Sequence, residues 1–294
     1  MKVSYYPGCT LKTKAKNLET PGIAAMAALG VELVELERWN CCGVTYSLAE
    51  DDLLHVVAPV RDLIRVKEAG YDKVVTLCSM CYNTLAQANL LMRNDKEKRK
   101  TLNLFMEEEP DYAGEVEVLH LFNFLRDEIG WDKVKAAVKV PLKDLKVAPY
   151  YGCTLVRPKE VAIDSSENPR FMHDFLAAIG AEPVDHTAHV ECCGSYQMVS
   201  HPEFCMTAVA NILGAVNRSG AEAIVSSCPL CECNVGQMQS EVLAKHTDLK
   251  PTPTYYFTQL LAIAMGLDVE ACNFDLNGPG ARELLESKSI LASV

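Results

Sequence analysis

The sequence lacks the features of several large protein classes. No apolar run approaches the roughly 20 residues of a membrane-spanning helix, and the first residues, MKVSYYPGCT, have neither the charged start nor the apolar core of a signal peptide. Positive charge is also scarce: 28 Lys and Arg face 39 Asp and Glu, for a formal net charge of -11. These absences predict a cytoplasmic protein without a membrane span, and they disfavour a nucleic-acid-binding surface.

Cysteine, in contrast, is abundant, with 13 in a chain of 294 residues. Disulfides are rare in reducing compartments, and adjacent cysteines bond to each other only through a strained ring. Metal or cluster ligation is therefore the leading interpretation of these thiols. The chain is long enough for two domains, and its 49% hydrophobic and 23% charged residues are typical of globular proteins.

An internal repeat organises the cysteines. The segments SYYPGCTLK, ALGVELVELERWNCCG and AGYDKVVTLCSMCYNTL return as PYYGCTLVR, AIGAEPVDHTAHVECCG and SGAEAIVSSCPLCECNV, and VLHLFNFL returns more weakly as TYYFTQLL. The second half of the chain thus repeats the first, roughly 150 residues later. Each copy holds one cysteine, then Cys-Cys-Gly, then Cys-x-x-Cys. The two sets are Cys9, Cys41, Cys42, Cys78 and Cys81, and Cys153, Cys192, Cys193, Cys228 and Cys231.

The repeat also predicts the fold. The β-branched runs KVSYYPG, KVAPYYG, DKVVTLC and EAIVSSC indicate strands that end beside cysteines, and helical patterns follow them, with Pro202 and Pro229 fitting helix starts. Alternating strands and helices predict an α/β protein of two homologous domains, each with a largely parallel sheet flanked by helices. We expect domains at residues 1–140 and 147–294, divided near KVPLKDLK. Ligands of such sheets collect beyond the carboxyl ends of the strands, where Cys9 and Cys78 are expected.

The type of metal centre stays open at this point. A structural zinc site and an iron–sulfur cubane each take four ligands, whereas each half offers five cysteines. One thiol per half is then a bystander, or the centre is larger or more irregular than a cubane. Adjacent cysteines point apart in most backbone conformations, so a pair spans different metal atoms more readily than it chelates one. This favours an iron–sulfur centre with several metal atoms over zinc, redox-active thiols or inert buried cysteine.

At these residues the sequence resembles the CCG-domain family, and a chain of two such domains resembles the B subunits of heterodisulfide reductases from methanogenic archaea. The resemblance implies a catalytic iron–sulfur protein, an oxidoreductase of methanogenesis that acts on a disulfide. It also implies two noncubane [4Fe-4S] clusters, one on each set of five cysteines, which together reduce the heterodisulfide of coenzyme M and coenzyme B. The alternatives are an electron-transfer subunit of another oxidoreductase with CCG domains, or a zinc-binding scaffold.

The resemblance further implies partner subunits. The dense C-x₂-C-x₂-C run of ferredoxin-like modules is absent, so electrons must arrive from another protein. The family supplies two such partners within the same complex, a C subunit that carries cubane iron–sulfur clusters and an A subunit that carries a flavin.

Further residues are weaker candidates. Lys12, Lys14, Lys16 and Arg157 follow the first cysteine of each copy and are predicted to bind acidic groups of the substrate, although a solvated lysine run is the usual meaning of KTKAK. His186, His189 and His201 could donate protons to a departing thiolate, but structural or surface histidine is the commoner case. Cys205, Cys233 and Cys272 lie outside the pattern and are expected to be small buried hydrophobic residues.

Overall fold

The computed structural model describes residues 1–44 and 53–291, and the other residues of the two predicted domains lie outside this part. The described residues form two halves of the same architecture. The strands of the first half are β1 (Lys2–Tyr5), β2 (Glu32–Glu35), β3 (Lys73–Thr76) and β4 (Glu117–His120). Those of the second half are β5 (Lys146–Pro149), β6 (Glu182–Pro183), β7 (Ala223–Ser226) and β8 (Thr254–Tyr256).

Helices separate the strands in both halves. The first half contains α1 (Cys9–Thr13), α2 (Lys16–Ala28), α3 (Leu54–Glu68), α4 (Ser79–Asn94), α5 (Lys96–Phe105), α6 (Leu121–Phe124) and α7 (Trp131–Ala137). The second contains α8 (Phe171–Ala178), α9 (Pro202–Ser219), α10 (Pro229–Cys231), α11 (Gln239–Lys245), α12 (Phe257–Ala264) and α13 (Ala281–Ser287). Single π-helical turns follow α6 and α10, and short 3₁₀ turns join other elements.

Each half builds one parallel four-stranded sheet. The strand orders are β2-β1-β3-β4 and β6-β5-β7-β8, and every pairing is parallel. The direction of winding reverses between β1 and β3 and between β5 and β7, and this reversal is where open α/β sheets bind ligands. The predicted fold of two homologous α/β domains is therefore confirmed.

The patterned segments form the predicted elements. All four β-branched runs that end near cysteine are strands, and α9 begins at Pro202 and α10 at Pro229, as the sequence predicts. The central strands of both sheets are buried because helices cover both faces, which explains why they are continuous apolar runs and not alternating ones.

The two halves share a closely packed interface. Helix α2 of the first half packs on α12 of the second, and Thr258 Oγ1 donates to the Leu18 carbonyl at 2.8 Å. Gly22 permits this approach, because a Cβ atom there would lie 3.0 Å from Thr258 Cγ2. Aromatic rings fill a second part of the interface, with Phe122 stacked on Phe257 at 4.0 Å between centroids. The halves are thus held in one defined orientation.

The connection between the halves packs on the second one. Helix α7 lies against α8, and the N–H groups of Lys139 and Val140 both donate to the Ala264 carbonyl. The domain boundary expected at residues 139–146 stays a prediction. Among the described residues no helix is both long and apolar enough to cross a membrane.

Candidate metal centre

The ten patterned cysteines lie at the switch points of the two sheets. Cys9 opens α1 just after β1, and Cys78 caps α4 just after β3. Cys153 and Cys228 follow β5 and β7 in the same way, and Cys228 caps α10. The position expected for Cys9 and Cys78 is thereby confirmed. Because helix N-termini present free N–H groups and a positive dipole end, this edge favours an anionic, thiolate-rich centre.

In each half the five thiols form a string in which each sulfur neighbours the next. In the first half Cys9 and Cys41 are 3.5 Å apart at Sγ, and Cys42 and Cys81 are 3.6 Å apart. The side chains of Cys41 and Cys42, and of Cys78 and Cys81, also interact. The second half repeats this order: Cys153 and Cys192 at 3.9 Å, Cys193 and Cys231 at 3.6 Å, with Cys192 beside Cys193 and Cys228 beside Cys231.

This arrangement suits a centre with several metal atoms. Bonds of about 2.3 Å to a tetrahedral metal put two sulfurs about 3.8 Å apart, which matches the paired thiols. Yet in the part of the chain that the structure describes, no three or more Cys, His, Asp or Glu side chains are grouped so that they could hold one metal ion. Successive pairs can therefore each share a metal atom, whereas all five cannot converge on one.

One member of each Cys-Cys pair is stabilised as thiolate. Side-chain interactions with Cys41 and Cys81 lower the pKa of Cys42 to about 3. Hydrogen bonds from Cys153 and Cys193 lower the pKa of Cys192 to about 2, and the Gly194 N–H donates to its sulfur at 3.4 Å. The thiolate is the form that binds metal.

Burial divides each string into an accessible and an enclosed part. Cys9, Cys41 and Cys192 are exposed and Cys153 is half-buried, whereas the remaining six are buried. The first cysteine and the leading member of the Cys-Cys pair therefore form an edge that a molecule in solution can reach. The Cys-x-x-Cys thiols lie beneath it.

Two tyrosines that support the strings were not singled out from the sequence. The hydroxyl of Tyr6 donates to the Asn40 carbonyl at 2.6 Å, and that of Tyr150 donates to the Glu191 carbonyl at 2.8 Å. Both carbonyls directly precede a Cys-Cys pair, so each tyrosine fixes one end of a ligand loop. The internal repeat could have identified these two tyrosines, because both occur in the matching YYPGC and YYGC segments.

Glycine leaves room for the sulfurs. Gly8 has a φ of 72°, and a Cβ atom there would lie 2.8 Å from Cys81 Sγ. Gly152, its counterpart, has a φ of 64°, and its Cβ would lie 3.4 Å from Cys231 Sγ. A side chain at Gly8 would therefore crowd the sulfur of Cys81.

The three unpatterned cysteines lie apart from the strings. Cys205 is buried beneath the second Cys-Cys-Gly loop, where its thiol donates to the Gly194 carbonyl at 2.9 Å. Cys272 is also buried, and burial raises its pKa to about 12. Cys233 is half-buried. None of the three is in a thiol–thiol contact within the described residues, although Cys205 supports the loop of two candidate ligands.

The four basic candidate residues differ in whether their side chains already have partners. Lys12 pairs with Glu19 and Glu35, and Lys16 pairs with Glu19. The guanidinium of Arg157 donates to the carbonyls of Val190 and Ser166 at 2.9 and 3.0 Å. Lys14 is exposed and has no ion-pair partner in residues 1–44 and 53–291. Lys14 is therefore the most available cation of the four.

The three candidate histidines serve the fold of the second half or lie on its surface. His186 is buried with Nε2 at 3.1 Å from the Pro149 carbonyl, and burial lowers its pKa to about 4. His189 has both ring nitrogens near carbonyls, those of His186 and Glu167. His201 is exposed beside Glu203. A role of any of them in proton transfer stays a prediction.

A cavity of about 560 Å³ lies between residues that follow Cys9 and residues that flank Cys231. Thr10 and Lys14, close behind Cys9, line it from the first half. Leu230 and Glu232, on either side of Cys231, line it from the second half together with Tyr256. The fold and the site together define a class of protein. It is a duplicated α/β protein with a group of thiols at the switch point of each sheet and a cavity between the halves.

Comparison with known proteins agrees with this class. The family of the Cysteine-rich domain (CCG) matches residues 3–86 and 147–236. The B subunit of the ferredoxin/F(420)H(2)-dependent CoB-CoM heterodisulfide reductase from Methanosarcina acetivorans is 31% identical over 94% of this chain and 93% of its own. The 8-methylmenaquinol:fumarate reductase membrane anchor subunit of Wolinella succinogenes is 29% identical over 96% of this chain and 98% of its own.

A solved structure shares the fold. The crystal structure of a hypothetical protein from Helicobacter pylori superimposes with a TM-score of 0.74 at 13% identity over 94% of this chain, which spans about half (51%) of that protein. The chain belongs to the CCG family of cysteine-rich domain proteins, and within it to the two-domain members that resemble heterodisulfide reductase B subunits.

Proposed function

We propose that this chain is the catalytic iron–sulfur subunit of a heterodisulfide reductase, that each half binds one noncubane [4Fe-4S] cluster, and that it reduces the mixed disulfide of coenzyme M and coenzyme B. The observation that carries the proposal is the pair of matching five-thiol strings. The proposed ligands are Cys9, Cys41, Cys42, Cys78 and Cys81 for one cluster, and Cys153, Cys192, Cys193, Cys228 and Cys231 for the other.

The duplication suits the chemistry of a disulfide. Reduction of RS–SR′ consumes two electrons and two protons and gives RSH and R′SH. When bound, two iron–sulfur clusters supply those electrons, one each. The chain's own residues shape the site: the buried Cys-x-x-Cys thiols and the tyrosine-anchored loops keep each centre rigid, and the exposed thiols leave one edge open to a substrate.

The cavity between the halves is the proposed binding site for the disulfide. Residues next to both strings line it, Thr10 after Cys9 and Leu230 before Cys231, and Lys14 lines it together with the acidic Glu232 and Asp275. A carboxylate or phosphate of the substrate can form a charge-assisted hydrogen bond with the ammonium group of Lys14. Further contacts with the substrate are proposed for Lys12, Lys16 and Arg157. Each of these side chains must first leave its present ion-pair or hydrogen-bond partner.

Partner subunits supply the electrons in this proposal. The chain has no ferredoxin-like cysteine run, so a second protein with cubane iron–sulfur clusters is proposed to deliver single electrons from a flavin-bearing third one. The relatives named as lettered subunits of heterodisulfide reductases support this, since lettered subunits imply a complex. A cytoplasmic location stays a prediction.

A second candidate function follows from the Wolinella relative, whose name is that of a fumarate reductase subunit. In that case the chain would pass electrons between other subunits and would not reduce a disulfide itself. Both candidates require iron–sulfur centres, so turnover separates them. Reduced viologen should be oxidised when the heterodisulfide is added, whereas a pure electron carrier would show no such oxidation when isolated.

Metal analysis under anaerobic conditions tests the shared premise. We expect about eight irons and a similar amount of acid-labile sulfide per chain, about four for each half. Cys42→Ser and Cys193→Ser should each lose one cluster, while Cys205→Ser, Cys233→Ser and Cys272→Ser should keep both. One or two tightly bound zinc ions without labile sulfide would overturn the proposal.

A further inference from the structure

Helix α4 carries ligands of the first centre and also contacts the second half. Three side chains of its first turns reach across the interface. Ser79 Oγ lies 2.6 Å from Ser227 Oγ, and the Tyr82 hydroxyl donates to the Val161 carbonyl at 2.9 Å. The amide of Asn83 donates to the carbonyls of Thr154 and Arg157 at 2.7 and 2.8 Å. One helix therefore joins the first centre to the second half through these hydrogen bonds.

Two of these bonds end beside cysteines of the second set. Ser227 directly precedes Cys228, and Thr154 directly follows Cys153. Cys153 and Cys228 are the two ends of the second thiol string. The side chains of Ser79, Asn83 and Ser227 are buried, so water does not compete for these bonds. Helix α4 thus holds both ends of the other centre.

The repeat does not produce the reciprocal contact. The residues that match Ser79 and Asn83 in the second half are Pro229 and Cys233. Proline has no donor, and a cysteine side chain is too short to reach a carbonyl across the interface as asparagine does. On that side the halves are separated by the cavity that Cys233 lines. The bridge is therefore one-sided, and the duplication alone does not explain it.

We propose that α4 couples the two centres, with Ser79 and Asn83 as positioning residues that fix the separation between them. This inference rests on the proposed function. Two one-electron centres must address the same sulfur–sulfur bond, and small displacements of reacting groups slow such steps strongly. Ser79 holds the end of the second string at Cys228, and Asn83 holds the end at Cys153.

The test compares Ser79→Ala, Asn83→Leu and the double variant with a matched control. Asn89→Leu is that control, because Asn89 is a buried asparagine of the same helix whose amide donates to the Val116 carbonyl within the first half at 2.7 Å. Iron content, the electron paramagnetic resonance spectrum of the reduced protein, and the kcat and KM for disulfide reduction by reduced viologen are measured for each.

We expect the bridge variants to keep all their iron and the individual cluster signals. The magnetic interaction between the two reduced centres should weaken, and kcat for the disulfide should fall about tenfold in the double variant at unchanged KM. Ser79→Thr, which retains the hydroxyl, should keep both values near those of the wild type. The Asn89→Leu control should also keep the wild-type interaction and kcat.

Three outcomes would overturn the inference. Loss of iron from Ser79→Ala would assign the serine to ligation within one centre, and an unchanged magnetic interaction would remove the coupling role. An equal fall in kcat in Asn89→Leu would reduce the effect to general packing of α4. Absence of iron from the wild-type protein is a different result, because it rejects the proposed function before any variant is compared.

Discussion

At the scale of single residues, the patterned cysteines could be predicted from the sequence. The residues that hold the cysteine loops in place by hydrogen bonds could not. The cysteines stand at repeated spacings, and spacing is visible in one dimension. The hydrogen bond from the Tyr6 hydroxyl to the Asn40 carbonyl joins residues 34 positions apart. Neither residue has a sequence feature that predicts this bond. The same holds for Asn83 and Thr154, which are 71 positions apart. Contacts of this kind depend on how elements pack in three dimensions.

Gly8 gives the sharpest prediction at this scale. Its φ of 72° and ψ of 165° belong to a region that only glycine occupies readily, and an added Cβ would lie 2.8 Å from Cys81 Sγ. Gly8→Ala should therefore strain the backbone and displace a ligand of the first centre. We expect the purified variant to lose about half of its iron, measured against total protein under anaerobic conditions.

Gly130 is a matched control for this substitution. It also precedes a helix, its φ of 83° and ψ of 141° lie in the same region, and an added Cβ would have no neighbour within 4 Å among the described residues. Gly130→Ala should cost about 1–3 kcal/mol of stability from backbone strain and should keep all its iron. Equal iron in the Gly8→Ala and Gly130→Ala variants would mean that the space beside Gly8 does not belong to a cluster.

At the scale of elements, the buried central strands could be predicted from the sequence and the partly exposed edge strands could not. The central strands β1, β3, β5 and β7 are recognisable because burial on both faces selects continuous apolar runs. The edge strands β2 and β6 are partly exposed, and β6 has only two residues, so their sequences lack the continuous apolar pattern that marks the central strands. Helix α7 lies before the predicted boundary but packs on the second half, an arrangement that only the assembled fold determines.

The cap of α6 predicts a dependence of stability on pH. His120 accepts a hydrogen bond from the Phe122 N–H at Nδ1, and its Nε2 lies 3.0 Å from the Leu77 carbonyl. Nδ1 can accept only in the neutral ring, and burial lowers the pKa of His120 to about 3 from an ordinary 6.5. Between about pH 3 and pH 6.5 the imidazole of His120 is protonated in the unfolded chain and neutral in the folded one. The free energy of unfolding therefore falls as the pH falls below 6.5.

The contribution of His120 amounts to about 1.4 kcal/mol lost by pH 5.5. Thermal midpoints of the anaerobic protein at pH 7.5 and 5.5 measure it. His120→Asn can still cap the helix but does not titrate, so its midpoint should fall less between the two pH values than that of the wild type. His201→Asn, at an exposed position, should behave like the wild type. Identical falls in wild type and His120→Asn would contradict the assignment.

At the scale of the whole molecule, the duplication is nearly symmetric in fold and clearly asymmetric at the interface. The sheets and thiol strings match, as the repeat predicts. The interface differs because Ser79 and Asn83 on one side correspond to Pro229 and Cys233 on the other, so the bonds that α4 makes to the second half have no counterpart at these matching positions. The repeat in the sequence identified the matching halves. The effect of these few differences on the interface could be seen only once the relative orientation of the two halves was known.

Net charge sets the long-range field of the molecule. A formal charge of -11 repels an anionic disulfide at distance, so capture requires local compensation close to the centres. Of the four basic candidates, Lys12 and Lys16 are already neutralised by glutamates, and the Arg157 guanidinium is bound to carbonyls. Within the described part of the chain, Lys14 is left as the unpaired basic candidate on the cavity wall, which Glu232 and Asp275 also line, and is the group proposed to attract the substrate there.

Lys14→Ala should therefore raise the KM for an anionic disulfide about tenfold at low ionic strength, the equivalent of one charge-assisted hydrogen bond. The difference from wild type should shrink at 1 M salt, where the Debye length falls to about 3 Å. Lys250→Ala is a suitable control, because Lys250 is exposed just before β8, at the opposite edge of the sheet from the thiols. An uncharged disulfide should be reduced equally well by all three proteins. A KM for the anionic disulfide that is unchanged in Lys14→Ala would locate the binding groups elsewhere, with release of Arg157 from the Val190 and Ser166 carbonyls as the next contact to test.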